Sequence, residues 1–386
     1  MERARGGALR YNSRVSQARV VVVGGHGFFG RLVVDGLLAS TRASIAVVSR
    51  RRHALDGWDA QRVEHVQADQ HDPRALRRIL AGAAVVVHAA GPYQGLAPSV
   101  LAAALEARVA YVDLADDRSF VRRAEQLVAD RRGACPPVLL GMSYVPALCA
   151  WMVELARGEL AALERIRCVA SPGSRGSRGR ATLESLLSSA GRAFDVPRRH
   201  GAERVHGWSR PVRCEYPAPF GARTAYLAIP VADFDLFPRW FGCADVEFRA
   251  GSDLPLLDRG LWIVAGAQRW IRVLPLVRCA NAMARIVGLA GRIGSDAGAG
   301  MVELADARHV RRVAVVARTG GQRLPALPAA FATAALLEGR LRDAAGLVAA
   351  NQVLTTEQFV HAMRTRGIAV WLDRGDGWRE VSDARG

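Results

Sequence analysis

Between Ala18 and about Ala150 the chain alternates short β-branched runs with stretches of helical periodicity. The apolar runs are ARVVVV (18–23), SIAVVS (44–49), VEHVQA (63–68), AAVVVHAA (83–90), VAYVDL (109–114) and PVLLG (137–141). The spacing predicts helices between them, near 28–39, 73–81, 97–107 and 117–131. Strands separated by helices read as βαβ units and so as a parallel sheet. Several runs are apolar on both faces, as strands covered by helices on both sides require. Six such strands complete a doubly wound sheet, which makes residues 1–155 a Rossmann domain.

From about 160 to 320 the pattern changes to alternating segments, LERIRCVAS, TAYLAIPVADF, ADVEFRAG and VRRVAVVAR, joined by longer loops. Period-two alternation predicts half-buried strands. Residues 156–323 therefore read as an α+β domain on a mostly antiparallel sheet, serving substrate binding or dimerisation. The tail, 324–386, carries PALPAAFATAALLEG and TTEQFVHAMRTRG and is predicted helical, free to return onto the first domain. The fold class is α/β, a Rossmann sheet followed by an α+β domain.

Composition removes several function classes. Half of the 386 residues are apolar and 23% are charged, the profile of a globular protein. The basic start, MERARGGALRYNSRVSQ, has no apolar h-region, and no apolar run reaches about 18 residues, so a cytoplasmic location is expected. The six cysteines are scattered without a CxxC pair, and the nine histidines show no metal-ligand spacing, so no metal is expected. A net charge of +17 would suit nucleic acid, but the basic residues are all Arg and are spread along the whole length, which argues against it. The chain has no Lys, which excludes a Lys base or Schiff base.

The strongest motif is VVVGGHGFFGRLVVDGLL. Gly25, Gly27 and Gly30 form G-x-G-x-x-G directly after a strand and at the start of a helix. Gly25 permits the turn, Gly27 lets backbone approach a pyrophosphate, and Gly30 allows close helix–strand packing. Phe28 and Phe29, at the start of that helix, are further cofactor-binding candidates, and the helix N-terminus favours the anion. The second strand ends Ser49-Arg50-Arg51-Arg52, where NAD enzymes usually carry an acid. Hydroxyls and Arg forks instead suit a 2′-phosphate, so the expected cofactor is NADP. Asp69, closing the third strand, is a candidate for the adenine edge, and Asp72 for the cap of the helix at Pro73. Ala89, Ala90 and Gly91 at the end of the fourth strand leave room for the nicotinamide ribose. The fifth strand ends in YVDLADD, which puts Asp113, Asp116 and Asp117 at the same edge, with helix capping assigned to Asp116 or Asp117.

GGHGFFG, HAAGPYQG, ARVAYVDLADD and GMSYVPAL together resemble the saccharopine dehydrogenase-like oxidoreductases, which include trans-acting enoyl reductases. The resemblance covers residues 18–150 and implies a two-domain NADP-dependent oxidoreductase with its active site between the domains. It does not imply saccharopine as substrate. Short-chain dehydrogenases use a Tyr-x-x-x-Lys pair, which a chain without Lys lacks. Hydride transfer needs only position and one proton donor. Tyr93, Asp113 and Tyr144 are the catalytic candidates.

On the substrate side, PGSRGSRGRATLESLLSS places Gly173, Arg175, Gly176, Arg178, Gly179 and Arg180 before a helix start, an anion site or a surface loop. The segment 256–294 is apolar, with Arg278, Arg285 and Arg292 on one helical face and Trp262 and Trp270 at its edge. It reads as buried helices, a homodimer surface, or a face meeting membrane or a lipid-like substrate. The substrate is a small molecule, amino-acid-like or apolar. A non-catalytic NADP-binding protein and a membrane-peripheral protein are the competing classes.

Overall fold

The computed structural model describes residues 18–382 apart from 56, 132, 159, 161, 176–186 and 270–293. Its first sheet begins with β1 (Arg19–Val23), β2 (Ser44–Ser49), β3 (Val63–Gln67), β4 (Val85–His88), β5 (Ala110–Asp113) and β6 (Pro137–Leu139). They pair in the order β3-β2-β1-β4-β5-β6, every pair parallel. Val20–Val23, Val47 and Val85–Val87 are almost fully buried, because helices cover both faces of the sheet. Those crossovers are α1 (Phe28–Ser40), α2 (Pro73–Leu80), α3 (Ser99–Ala107) and α4 (Arg118–Ala129). Asp72 caps α2 by accepting from the Arg74 and Ala75 amides, with Pro73 at the first helical position. Asp117 caps α4 through the Phe120 amide. The strand order reverses between β1 and β4, the switch point where ligands bind in such sheets.

Helix α5 (Cys149–Arg157) leads from β6 to the second sheet. That sheet contains β7 (Arg165–Ser171), β10 (Ser209–Glu215), β11 (Ala222–Leu227), β12 (Asp245–Ala250), β13 (Gly298–Ala305) and β14 (Val310–Ala317), while β8 (Ala193–Arg198) and β9 (Gly201–His206) form a separate hairpin. Only the β7–β12 pair is parallel among the described pairings of this sheet. Among the helices against it are α6 (Asp233–Phe241) and α7 (Pro255–Gln268).

The tail, expected to be helical, divides between the sheets. Helix α8 (Leu327–Leu337), nearly all apolar, packs across α1, β4 and β5, and β15 (Gly346–Leu347) adds a parallel seventh strand beside β6. After α9 (Thr356–Arg364) the chain instead forms β16 (Ile368–Asp373) and β17 (Trp378–Glu380) on the edge of the second sheet. IAVWLD buries alternate residues against β14, and that period of two makes it a strand. Capping of α9 by a Thr355–Gln358 capping box fixes where the helix begins. Trp151 of α5 donates its indole N–H to the Ala350 carbonyl at 2.8 Å, tying the returning tail to the junction between the sheets. No helix among the described residues is long and apolar enough to cross a membrane.

Candidate cofactor and substrate cavity

The turn after β1 is shaped by glycines for steric reasons. Gly24 has φ +83, and a Cβ on it would lie 2.7 Å from Ala90. A Cβ on Gly30 would lie 2.1 Å from the Gly24 carbonyl oxygen, so any side chain there would push α1 off the turn. Gly25 packs against Val47. Gly27 donates to the Gly24 carbonyl at 2.8 Å and begins α1 without any side-chain cap. The first-turn amides of α1 are thereby left to a ligand, where the helix dipole favours an anion.

A cavity of about 800 Å³ opens beside this turn and runs between the two sheets. Gly27, Phe28, Phe29, Ser49 and Arg50 line its first-domain end, and Ala89, Ala90 and Gly91 line its middle. Gly25 and Gly30 act from behind the wall by packing. Arg51 is exposed and is not among the lining residues. Asp69 is exposed as well, its carboxylate accepting from the His71 amide at 2.9 Å, while its neighbours Ala68 and Gln70 face the cavity.

The three proposed proton donors are placed differently from one another. Tyr93 lines the cavity, but its hydroxyl donates to the His88 carbonyl at 2.6 Å and accepts from the Leu114 amide. Tyr144 also lines it, with its hydroxyl donating to the Val169 carbonyl at 2.6 Å. Asp113 is fully buried behind the wall and accepts from the Ala115 and Gly141 amides at 3.1 and 2.7 Å. Burial pushes its carboxyl up to about 6, against those two amides. All three hold backbone in place.

Sequence reasoning passes over Asp116 as a capping residue. It is half-buried, lines the cavity beside Leu114 and Tyr93, and is pushed up to about 6 by burial and then by the Asp117 carboxylate. His88 closes β4 in the neutral state, held down to about 3 by burial. Its Nδ1 lies 3.1 Å from the Tyr111 hydroxyl and its Nε2 2.9 Å from Gln70 Oε1. A histidine cluster flanks the arginine run: His26 stacks on His53 at 4.6 Å, and His65 lies 5.1 Å from His26. His65 Nε2 meets the Ser49 hydroxyl at 2.9 Å. Nothing in linear spacing unites these three residues, which come from the glycine turn, the β2 loop and β3.

The second-domain end of the cavity is lined by Trp208, Ala228, Ile229, Phe248, Leu324 and Pro325, with Gly173 and Ala299 beside them. Of the expected anion loop, Gly173 is a lining residue and Arg175 is exposed, while Gly176, Arg178, Gly179 and Arg180 fall outside the described residues. Of the apolar segment 256–294, residues up to 269 and 294 are described. There α7 buries Asp258 and Ala265 and exposes Leu256, Trp262, Ile263 and Val264.

Comparison with known proteins agrees with this geometry. Residues 20–134 match the sequence profile of the saccharopine dehydrogenase NADP binding domain. A lipid droplet localized protein of Caenorhabditis elegans is 29% identical over 153 residues, 36% of this chain and 34% of that protein. The chain thus spans about a third of the length of that curated relative. Apo histidine-tagged saccharopine dehydrogenase (L-Glu forming) from Saccharomyces cerevisiae shares the fold at a TM-score of 0.60, with 15% identity over 92% of this chain and 99% of that one. These matches identify a dinucleotide-binding domain and a shared two-domain fold. Residues 20–134 thus form an NADP-binding domain of the saccharopine dehydrogenase type, and the chain as a whole shares the fold of the yeast enzyme.

Proposed function

We propose that the protein is an NADP-dependent oxidoreductase acting on an uncharged, largely apolar substrate held at the second-domain end of the cavity. The carrying observation is the charge inventory of the lining. Among the described lining residues the charged side chains are Arg50, Asp116 and Asp258, and Arg50 stands at the cofactor end. Among these described residues, a substrate carrying carboxylates would meet two acids and no cation other than Arg50, a poor exchange for its hydration. Trp208 and Phe248 offer apolar surface instead. Trp208 is fixed there by stacking on Tyr226 at 5.1 Å and by donating its indole N–H to the Asp258 carbonyl at 2.8 Å.

When bound, NADPH would supply a hydride to an electrophilic carbon of the substrate. Asp116 supplies the matching proton, since a carboxyl near 6 holds and releases it close to neutral pH. Phe28 and Phe29 cover the cofactor end, and the wall of Tyr93, Tyr144 and Val145 excludes water around the reacting atoms. Ala89, Ala90 and Gly91 keep the floor flat for the nicotinamide ribose.

The experiment is a two-stage one. Fluorescence titration with NADPH and NADH comes first, followed by NADPH oxidation against a panel split between apolar enones or ketones and oxo-diacids. Turnover confined to the apolar half supports the reading. Tight NADPH binding with turnover only of diacids would refute the substrate class, and no binding of either nucleotide would refute the oxidoreductase.

A second reading concerns location, favoured by the outward Leu256, Trp262, Ile263 and Val264 of α7. Such a face suits peripheral contact with a lipid surface, and the partly matching relative is described as localized to lipid droplets. Flotation with phosphatidylcholine vesicles tests it. Binding by the wild type that Ile263→Glu reduces supports it, and protein left in the soluble fraction refutes it.

A further inference from the structure

Away from the cofactor loop, three chemistry-bearing side chains meet where the two sheets join. Cys149 opens α5, Cys168 lies inside β7, and Asp233 opens α6. All three are fully buried. One donor atom from each, the two Sγ atoms and a carboxylate oxygen, lies within 4.8 Å of the others. We propose that Cys149, Cys168 and Asp233 form a binding site for a thiophilic divalent cation of the zinc class, which clamps α5, β7 and α6 together behind the cavity wall.

The second observation is the state of Asp233 itself. Neither of its carboxylate oxygens has a hydrogen-bond partner among the described residues. Asp113, equally buried, leaves one oxygen without a partner too, but its other oxygen accepts from the backbone amides of Ala115 and Gly141, whereas both oxygens of Asp233 lack one. Asp233 faces thiols instead, with Cys168 close enough to act on it. A thiol is a weak donor, so burial leaves this group unsatisfied, at the cost attached to any orphaned buried polar group. A cation would answer the carboxylate and convert the thiols into ligands. Tetrahedral zinc takes sulfur at about 2.3 Å and oxygen at about 2.0–2.2 Å, which brings donors slightly closer than they stand here. The donor set also chooses the ion. Two sulfurs select zinc-like metals over magnesium or calcium, which require oxygen.

The location gives the ion a purpose. Tyr144 and Asp116 line the cavity, and each acts electrostatically on this cluster, Tyr144 on Cys149 and Asp116 on Asp233. The clamp would therefore set the wall on which Tyr144 and Asp116 stand. Spacing in the sequence gives no warning, because each ligand comes from a different element and the three are far apart along the chain.

The test uses the full chain purified under reducing conditions without chelator. Elemental analysis is expected to find about one zinc per chain, and equilibration with excess cobalt(II) to give a thiolate-to-cobalt charge-transfer band. Cys168→Ser should lose that band, while Cys214→Ser, which removes a buried thiol outside the cluster, should keep it. Wild-type protein with no stoichiometric metal and no charge-transfer band overturns the proposal, as does a band that Cys168→Ser leaves undiminished. Should Cys168→Ser fail to fold, the wild-type intensity decides: two thiolates per cobalt support the site, and fewer overturn it.

Discussion

Arg118 of α4 grips Asp235 of α6 with two hydrogen bonds, 2.9 and 2.6 Å, across the seam between the two sheets. Arg122, one turn along α4, makes a second pair with the same carboxylate at 2.6 and 2.8 Å. Arg239 reaches back from α6 to Glu125 at 2.6 Å. The cavity lies between the two domains, so its width depends on how firmly α4 and α6 hold each other.

Asp235→Ala should therefore lower stability by about 2 kcal/mol, the usual worth of hydrogen bonds to a charged group in partial burial. Burial alone would raise the Asp235 carboxyl, but Arg118 and Arg122 override it and hold it at about 2. The folded value lies below the unfolded one, so this stability is present above about pH 4 and fades as pH falls toward 2. Thermal melts at pH 7 and pH 3 check it. A deficit that does not shrink at the lower pH would remove the ion pairs as its cause.

Arg50 and Arg51 are adjacent in sequence and differ in placement, since Arg50 lines the cavity and Arg51 does not. Arg50→Ala should weaken NADPH binding by about tenfold, near 1.4 kcal/mol, and leave NADH binding almost unchanged. Arg51→Ala should do little to either. Equal losses in both variants, read by fluorescence titration, would mean that general positive charge and not a placed fork attracts the cofactor.

The first domain is legible because its constraints are local and repetitive. Valine runs of strand length, Gly25, Gly27 and Gly30 at fixed offsets, and Asp72 before Pro73 each mark their position within a few residues. Gly24 escapes that reading, although its positive φ and its contact with Ala90, just beyond β4, are what shape the turn. The proton donors show the opposite case. Tyr93 and Tyr144 line the cavity and Asp113 lies behind its wall, yet which hydroxyl or carboxylate is already committed to backbone depends on packing that no linear pattern carries. Residues 368–380 form strands where the sequence suggests helix, because the helical run before them hides a short alternation.

Asp116→Asn should lower kcat by about 10²-fold or more with little change in NADPH affinity, because the amide keeps the shape and loses the proton. With Asp116 near 6, reduction needs its acid form and should slow as pH rises through that value, while the reverse reaction needs the carboxylate and should speed up. In Asp116→Asn both limbs should flatten. A variant that keeps its pH limb near 6 would return the donor role to another group.

The histidine cluster gives the cofactor site a pH dependence of its own. Burial, then repulsion from His53, His65 and Arg31, holds His26 down at about 4, and its Nε2 is buried without a partner. At neutral pH the ring is uncharged in the free protein. A 2′-phosphate beside Ser49 and Arg50 would favour the charged ring and raise that value, so binding takes up a proton and tightens as pH falls. Below about pH 6 the phosphate takes up its own proton and the gain stops. NADPH binding should strengthen by about twofold between pH 8 and 6.5, near 0.4 kcal/mol. NADH, which lacks the phosphate, should bind with a flat profile, and His26→Ala should flatten that of NADPH. Parallel pH profiles for the two nucleotides would place the phosphate away from the histidines and leave Arg50 to read it alone.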